Sequence, residues 1–347
     1  MNALLFALLL SVTGPEVSVP VNNLGDLALV PLRDGFVMAW SDGPRIYTEH
    51  LDANLQATNA PFSFPLVVPG PVTSLALASN GTSVLVTWHE LRGPNFEAQY
   101  AAILDAGAQS MLAGPLFTSI GTQPAAAGVK NGKYRLLAAG QVWTLDERLG
   151  IGPIDFLTDD VPGAFSAAGE IGVANAKQSS HCFSGGFGMP WESCDFNEAV
   201  TFIAPAGRSG FSFQWHTLTT GGQKTVTGIQ PILRPPLIAA NGDGFVGAVV
   251  TATASNVCEV RDGGRTWTVA KPLLAIAGNG AAVLAVWRDS GLRAMFLDGE
   301  TFTLSDDGDV PKIIPAGSNA FVVLFRRGSS IVARKVSVQA PRARAVR

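Results

Sequence analysis

The chain has 347 residues and a formal net charge of -3, with 15% charged residues, 47% apolar residues, 38 Gly and 22 Pro. That balance argues against long solvated helices and for many short strands joined by tight turns. The basic clusters, Arg326-Arg327, Arg334-Lys335 and the tail residues Arg342, Arg344 and Arg347, are dispersed among apolar residues, so nucleic acid is not expected as a partner.

The chain opens on MNALLFALLL, an apolar run of signal-peptide length followed by the small residues Ser11, Thr13 and Gly14. Residues 1-14 are therefore read as a signal peptide and the protein as secreted or periplasmic. No later stretch reaches the roughly 18 uninterrupted apolar residues of a membrane-spanning helix, so no transmembrane segment is expected. EVSVPV (16-21) is strand-like but belongs to no repeated unit of its own.

From residue 27 onward one unit recurs: an Ala-rich apolar stretch, a turn with Gly or Asn, and a second, stronger apolar strand. Copies are LALVPLRDGFVMAW (27-40), LALASNGTSVLVTW (75-88), AAAGVKNGKYRLLA (125-138), the weaker AFSAAGEIGVANA (164-176), LIAANGDGFVGAVV (237-250), LAIAGNGAAVLAVW (274-287) and IIPAGSNAFVVLF (313-325). The turn glycines Gly35, Gly81, Gly132, Gly169, Gly242, Gly280 and Gly317 recur at intervals of 37 to 51 residues, except for one of 73. Asp-Gly and Asn-Gly turns tolerate positive φ and make each unit begin with a hairpin.

Third strands come next in most units, as in RIYTEHL (45-51), AQYAAIL (98-104) and GQVWTLD (140-146), and several units supply a fourth. Four-stranded units of this size cannot bury a face alone and stack radially. The expected fold is all-β, a single β-propeller of about seven four-stranded blades, with six as the alternative count. Its span is residues 15-340, with a basic tail at 341-347. The last unit runs out after its third strand, so residues 16-21 are expected to close the ring beside 331-338.

The long interval holds an insertion at 177-198 containing SSHCFSGGFGMPWESCDFN (179-197). Cys182 and Cys194 flank its Gly-rich centre and are read as a disulfide, with free thiols or a metal site using His181, Cys182 and Cys194 as the alternatives. Cys258 is left over. The four histidines, His50, His89, His181 and His216, include no short-range pair suited to a metal, and no metal or cofactor is assigned.

RDGGRTW (261-267) resembles the Asp-box, or BNR repeat, with Asp262, Gly264, Thr266 and Trp267 matching and Val260 in place of Ser. FVMAWSD with LDA at 51-53, and ILDAGA (103-108), resemble the repeats of secreted bacterial propellers. The resemblance implies a propeller of the sialidase-like superfamily in which the box is structural, its carboxylate accepting bonds from turn amides and its Trp packing beneath. Sialidase chemistry, a Tyr nucleophile with a Glu base, an Asp acid and three arginines, is not expected. Tyr47, Tyr100 and Tyr134 all lie in strand-like stretches, and no F/Y-R-I-P motif precedes the first blade.

Three second strands end in Trp, one residue, then an acid: Trp40-Ser41-Asp42, Trp88-His89-Glu90 and Trp287-Arg288-Asp289. Alternation puts Trp and acid on one side, which suggests a partial ring of carboxylates or, alternatively, solvated turn acids. Trp191, His181 and Glu192 on the insertion suit stacking and hydrogen bonding to a ligand, or packing of the insertion on its own blade. SDDGDV (305-310) reads as a solvated turn in preference to a calcium loop. No G-x-S-x-G, H-E-x-x-H or P-loop is present, and no catalytic residue is assigned. The functional expectation is a monomeric, secreted binding or scaffold module for an extracellular glycan, peptide or protein. The alternative is a glycoside hydrolase or lyase using paired carboxylates.

Overall fold

The computed structural model describes residues 10-12, 17-93, 96-121, 124-156, 161-185, 191-228, 232-299 and 301-338. The signal segment falls mostly outside them, as do Phe187 and the basic tail. The described chain is a ring of seven antiparallel blades arranged as a β-propeller. Two of them, blades 5 and 6, join into one eight-stranded sheet through a single parallel bridge, Asn241 to Gly278.

In each blade the innermost strand begins the unit. These strands are Leu24–Pro31, Val72–Ser79, Ala126–Lys130, Gly163–Phe165, Leu237–Asn241, Leu273–Gly278 and Gly308–Pro315 for blades 1 to 7. Each pairs with a second strand, such as Gly35–Asp42, Ser83–Gly93 and Val283–Arg288 in blades 1, 2 and 6. The second strands read as continuous apolar runs because both of their faces press on neighbours. Val37, Ala39 and Ile46 of blade 1 meet Val84, Val86 and Trp88 of blade 2, and Leu284 and Val286 of blade 6 meet Phe321 and Val323 of blade 7. Each such side chain contributes about 1.5–3 kcal/mol by leaving water.

The turns are local chemistry repeated. Asn80 Oδ1 accepts the amides of Thr82 and Ser83, and its Nδ2 donates to the Gly132 carbonyl in the next blade. Asn279 does the same, accepting from Ala281 and Ala282 and donating to Gly317 and Ser318 of blade 7. At the third-to-fourth-strand turns, Asp52, Asp105 and Asp146 each accept two amides. Three residues later the backbone turns through positive φ, at Leu55 (66°), Ala108 (53°) and Leu149 (61°). The Arg148 and Gly150 amides hold the Asp146 carboxyl below its ordinary range.

The chain ends close the ring. Val17–Pro20 pairs antiparallel with Ser330–Val338, Val17 opposite Ala333 and Pro20 opposite Ser330, and supplies the outer strand of blade 7. Residues 10-12 pair further along the same strand, Leu10 opposite Val338.

The segment that resembles an Asp-box lies between the third strand Ser255–Glu259 and the fourth strand Thr266–Val269 of blade 5, but its bonding differs from that expectation. Glu259, not Asp262, organises the turn, accepting the Arg265 amide and the guanidinium groups of Arg261 and Arg265. Burial raises the Glu259 pKa, but these donors outweigh it and hold the carboxyl low. Gly263, at φ 66°, turns the chain so that Asp262 reaches across to the Arg208 amide of blade 4. Gly264 leaves no room for a side chain against the Glu259 carbonyl, and Thr266 pairs with Cys258. Trp267 packs on the core of blades 5 and 6, with the Arg265 guanidinium over its ring.

The three repeat-equivalent acids have one structural task in common. Each holds the segment leading into the innermost strand of its own blade. Asp42 accepts the Asn22 and Asn23 amides at 3.0 and 2.7 Å. Glu90 is fully buried and accepts from the Val67 and Val68 amides and Trp88 Nε1, with Arg92 as its ion-pair partner at 2.9 Å. Asp289 pairs with Lys271 at 3.1 Å. That common task accounts for their spacing.

This difference in burial sets an expected contrast. Glu90→Ala strands a largely buried guanidinium and three N–H donors and should lower unfolding free energy by about 3–5 kcal/mol. Asp289→Ala removes an exposed pair and should change it by less than about 1 kcal/mol. Urea titration of the two variants checks this.

Candidate functional site

Register decides which parts of the ring share a face. The start of each innermost strand pairs with the end of the second, as Leu237 does with Ala248, so lead-in segments and second-to-third-strand turns lie at one end of the ring. The central channel opens there into a cavity of about 660 Å³. Its wall is apolar, from residues such as Leu75, Ile276 and Ile313, and its rim carries Pro124, Pro162, Pro236 and Pro311. Lys312 and Arg234 bring cationic groups to it. Lys312 is paired at 3.2 Å with Asp26, whose carboxylate also accepts the Leu75 amide and so ties blades 7, 1 and 2 together. Arg234 is half-buried with no ion pair among the described residues, and desolvation lowers its pKa.

Blade 4 dominates this face. The insertion is not a loop: the second, third and fourth strands lengthen to Ile171–Ser184, Trp191–Ala204 and Gly207–Thr220, and an extra strand, Gln223–Gly228, continues the ladder. The innermost strand ends its pairing at Val173, opposite Gly163, and from Ala176 to Ser184 the second strand runs on exposed, beyond the ring. The long spacing between Gly169 and Gly242 is this sheet.

Cys182 and Cys194 are directly opposite in the register and form a disulfide. The bridge removes the thiolates that a metal site would need, and alternation places His181 on the opposite face of the sheet from Cys182. Glu192 shares the Cys194 face and lies against its sulfur. That face turns toward blade 5: Val200, Phe202 and Phe213 pack with Phe245 and Val249, and Glu198 accepts the Ile232 amide. Phe196 and Trp215 stack on it at 5.1 Å.

The other face of the sheet is free. Across its central strands run three rows of cross-strand neighbours: Phe183, Ser193 and Leu218; then His181, Asp195 and His216; then Ser179, Asn197 and Gln214. Trp191 stands opposite Thr220 in the row beyond the first. Asp195, Asn197, Gln214, His216 and Thr227 line a groove of about 450 Å³. A second hollow of about 460 Å³ continues it past Lys177, Ser179 and Ser212. His216 Nδ1 lies 2.9 Å from Asp195 Oδ1, and His216 Nε2 lies 3.2 Å from Ser193 Oγ. His181 meets Phe183 edge-on at 4.5 Å.

Of the residues singled out in the sequence, Trp191 and His181 therefore share this free face, while Glu192 lies behind it. Ser193, Asn197, Gln214 and His216 carried no motif. The available signal was alternation within Ser193-Cys194-Asp195; nothing local paired that strand with His216.

No protein-family model matches the chain, and no curated protein does. Among solved structures it is similar to BamB from Moraxella catarrhalis, at 10% identity over 94% of this chain and 99% of that one, with a TM-score of 0.51. It is also similar to the β-propeller domain of the Trilobed protease from Pyrococcus furiosus, at 9% identity over 92% and 98% of the two chains and a TM-score of 0.50. A third similar structure is the Neurospora crassa Pan2 WD40 domain, at 9% identity over 92% and 90% and a TM-score of 0.50. At these identities the likeness shows the β-propeller fold and nothing finer.

Burial pushes the remaining thiol, Cys258, up to about 11. Iodoacetamide at pH 8 should leave the native protein unmodified at Cys258, because the thiolate is the reacting form. Denaturant should expose one reactive thiol, and denaturant with reductant three. A non-reducing digest should yield the Cys182–Cys194 peptide pair.

Proposed function

We propose that this chain is a binding module that takes a glycan on the free face of the blade 4 sheet. The observation that carries the reading is the groove lined by Asp195, Asn197, Gln214, His216 and Thr227. Amide, imidazole, carboxylate and hydroxyl groups side by side offer both donors and acceptors, which matches sugar hydroxyls better than an apolar or singly charged ligand. Trp191, with Phe183 and His181 nearby on the same face, supplies ring surfaces for stacking against a sugar. A peptide or protein ligand would instead be expected to engage the sheet edge at Ala176 to Ser184, beyond the innermost strand, through backbone pairing.

Export is part of the proposal. It rests on the apolar run at residues 1-10 and on the disulfide, a bond that persists in oxidising compartments. No helix of the described residues is long and apolar enough to cross a membrane. Burial of Glu90 and the backbone amides that hold Asp42 weigh against the alternative of a glycoside hydrolase or lyase using paired carboxylates.

A glycan array run beside a fluorogenic glycosidase panel tests the reading. Saturable retention of at least one glycan class is expected. Asn197→Ala, Gln214→Ala and Trp191→Ala should each weaken it by about tenfold, the equivalent of about 1.4 kcal/mol. Absence of retention, or retention indifferent to all three changes, would refute the site.

A further inference from the structure

The polar groove ends against an apolar wall, and a serine stands at the junction. Ser193 is flanked in its row by Phe183 and Leu218, 53% and 40% exposed, with Trp191 at 36% two residues before it on the same face. These are large apolar side chains left in water around one hydroxyl, whereas Cys194 and Thr217 on the opposite face of the two central strands are buried. The hydroxyl is not idle. Asp195 is a carboxylate that only accepts, so His216 carries its proton on Nδ1 and donates it at 2.9 Å. Nε2 is then left as a lone pair directed at Ser193 Oγ, 3.2 Å away. The order carboxylate, imidazole, hydroxyl is that of an activated serine.

We infer that Ser193 is a nucleophile toward carboxylic esters with an apolar acyl group, His216 its general base and Asp195 the group that orients the imidazole. In the first step Oγ bonds to the ester carbonyl carbon as its proton passes to His216 Nε2. The carbon–oxygen bond to the alcohol then breaks, and that alcohol leaves with the proton. Water, deprotonated by the same imidazole, attacks the acyl-serine, and the acid departs while Ser193 regains its proton. The net change is ester plus water to acid plus alcohol, with no redox partner. Phe183 and Leu218 are placed to receive the acyl chain. The polar groove at Asn197 and Gln214 is placed to receive the alcohol portion, a pairing that rests on the glycan reading and names its substrate as an O-acylated glycan.

The strand Trp191–Ala204 is paired along both edges, so its backbone amides are committed to the ladder. Loss of a backbone donor to the oxyanion costs about 10²–10³ in rate, so slow turnover of activated esters is expected.

The test uses the folded, disulfide-bonded full chain with a fluorophosphonate probe and with p-nitrophenyl esters from acetate to octanoate. A single phosphonylated peptide containing Ser193 is expected, absent in Ser193→Ala and labelled at least about 100-fold more slowly in His216→Gln. Asp195→Asn should slow labelling while leaving the modified site unchanged. Ester hydrolysis should rise with acyl length, and Leu218→Ser should flatten that rise. Labelling of no serine or of a different serine, or equal rates in wild type and His216→Gln, would overturn the inference. So would a flat acyl-length profile in the wild-type chain. Mapping on the wild-type chain decides the matter even where a variant does not fold. Ser193 labelled without glycan retention refutes only the glycan reading, and glycan retention with Ser193 unlabelled refutes only this one.

Discussion

No blade of this protein buries its own surfaces. Outside blade 4 the second strands are buried on both sides, so each needs a neighbour on either flank, and the requirement is met around the ring only when it closes. Closure falls to residues 17–20 against 330–333, which cover the outer edge of the blade 7 third strand with a strand from the other end of the chain. Between the blades, buried polar groups act as pins: Asp26 joins blades 7, 1 and 2, and Thr48 donates to the Ala108 carbonyl across the gap from blade 1 to blade 2.

A rigid ring has a consequence for blade 4. Its short innermost strand, Gly163–Phe165, contributes little to the wall, yet its outer strands run far past the ring. Phe202 lies against Gly247 of blade 5, where a side chain would collide with the ring, and this close approach seats the root of the overhanging sheet. The disulfide then fixes the two strands that carry His181, Ser193 and Asp195. Val200, Phe202, Phe213 and Trp215 are buried on one face of the central strands and the other face is open, an asymmetry that turns an irregular blade into a presenting surface.

The same asymmetry separates structural carboxylates from chemically available ones. Asp42 and Glu90 accept hydrogen bonds from backbone amides in lead-in segments, and Glu259 gathers two guanidinium groups around a turn. Asp195 instead orients an imidazole on an open face. Residue type alone does not distinguish these roles; the identity of the donor does.

Period, turn chemistry and strand polarity were legible in the chain itself, because each is set within a few residues. Asn80-Gly81 and Asn279-Gly280 form their turns by local side-chain-to-backbone bonds, and continuous runs such as VLAVW announce a strand buried on both faces. The seven-fold count and the closing strand come from that repetition. Cys182 and Cys194, 12 residues apart, were also within reach, since a hairpin brings them opposite. What the sequence could not show is which residues meet across strands whose lengths it does not mark. His216 lies 21 residues beyond Asp195, and their meeting depends on the register of two 14-residue strands around the Ala204-to-Gly207 turn. A slip of one residue would carry His216 to the other face, away from Ser193. Packing of Phe202 and Phe213 on blade 5 then decides which face of that hairpin is covered and which is left open, a contact between distant segments that no local stretch of sequence records.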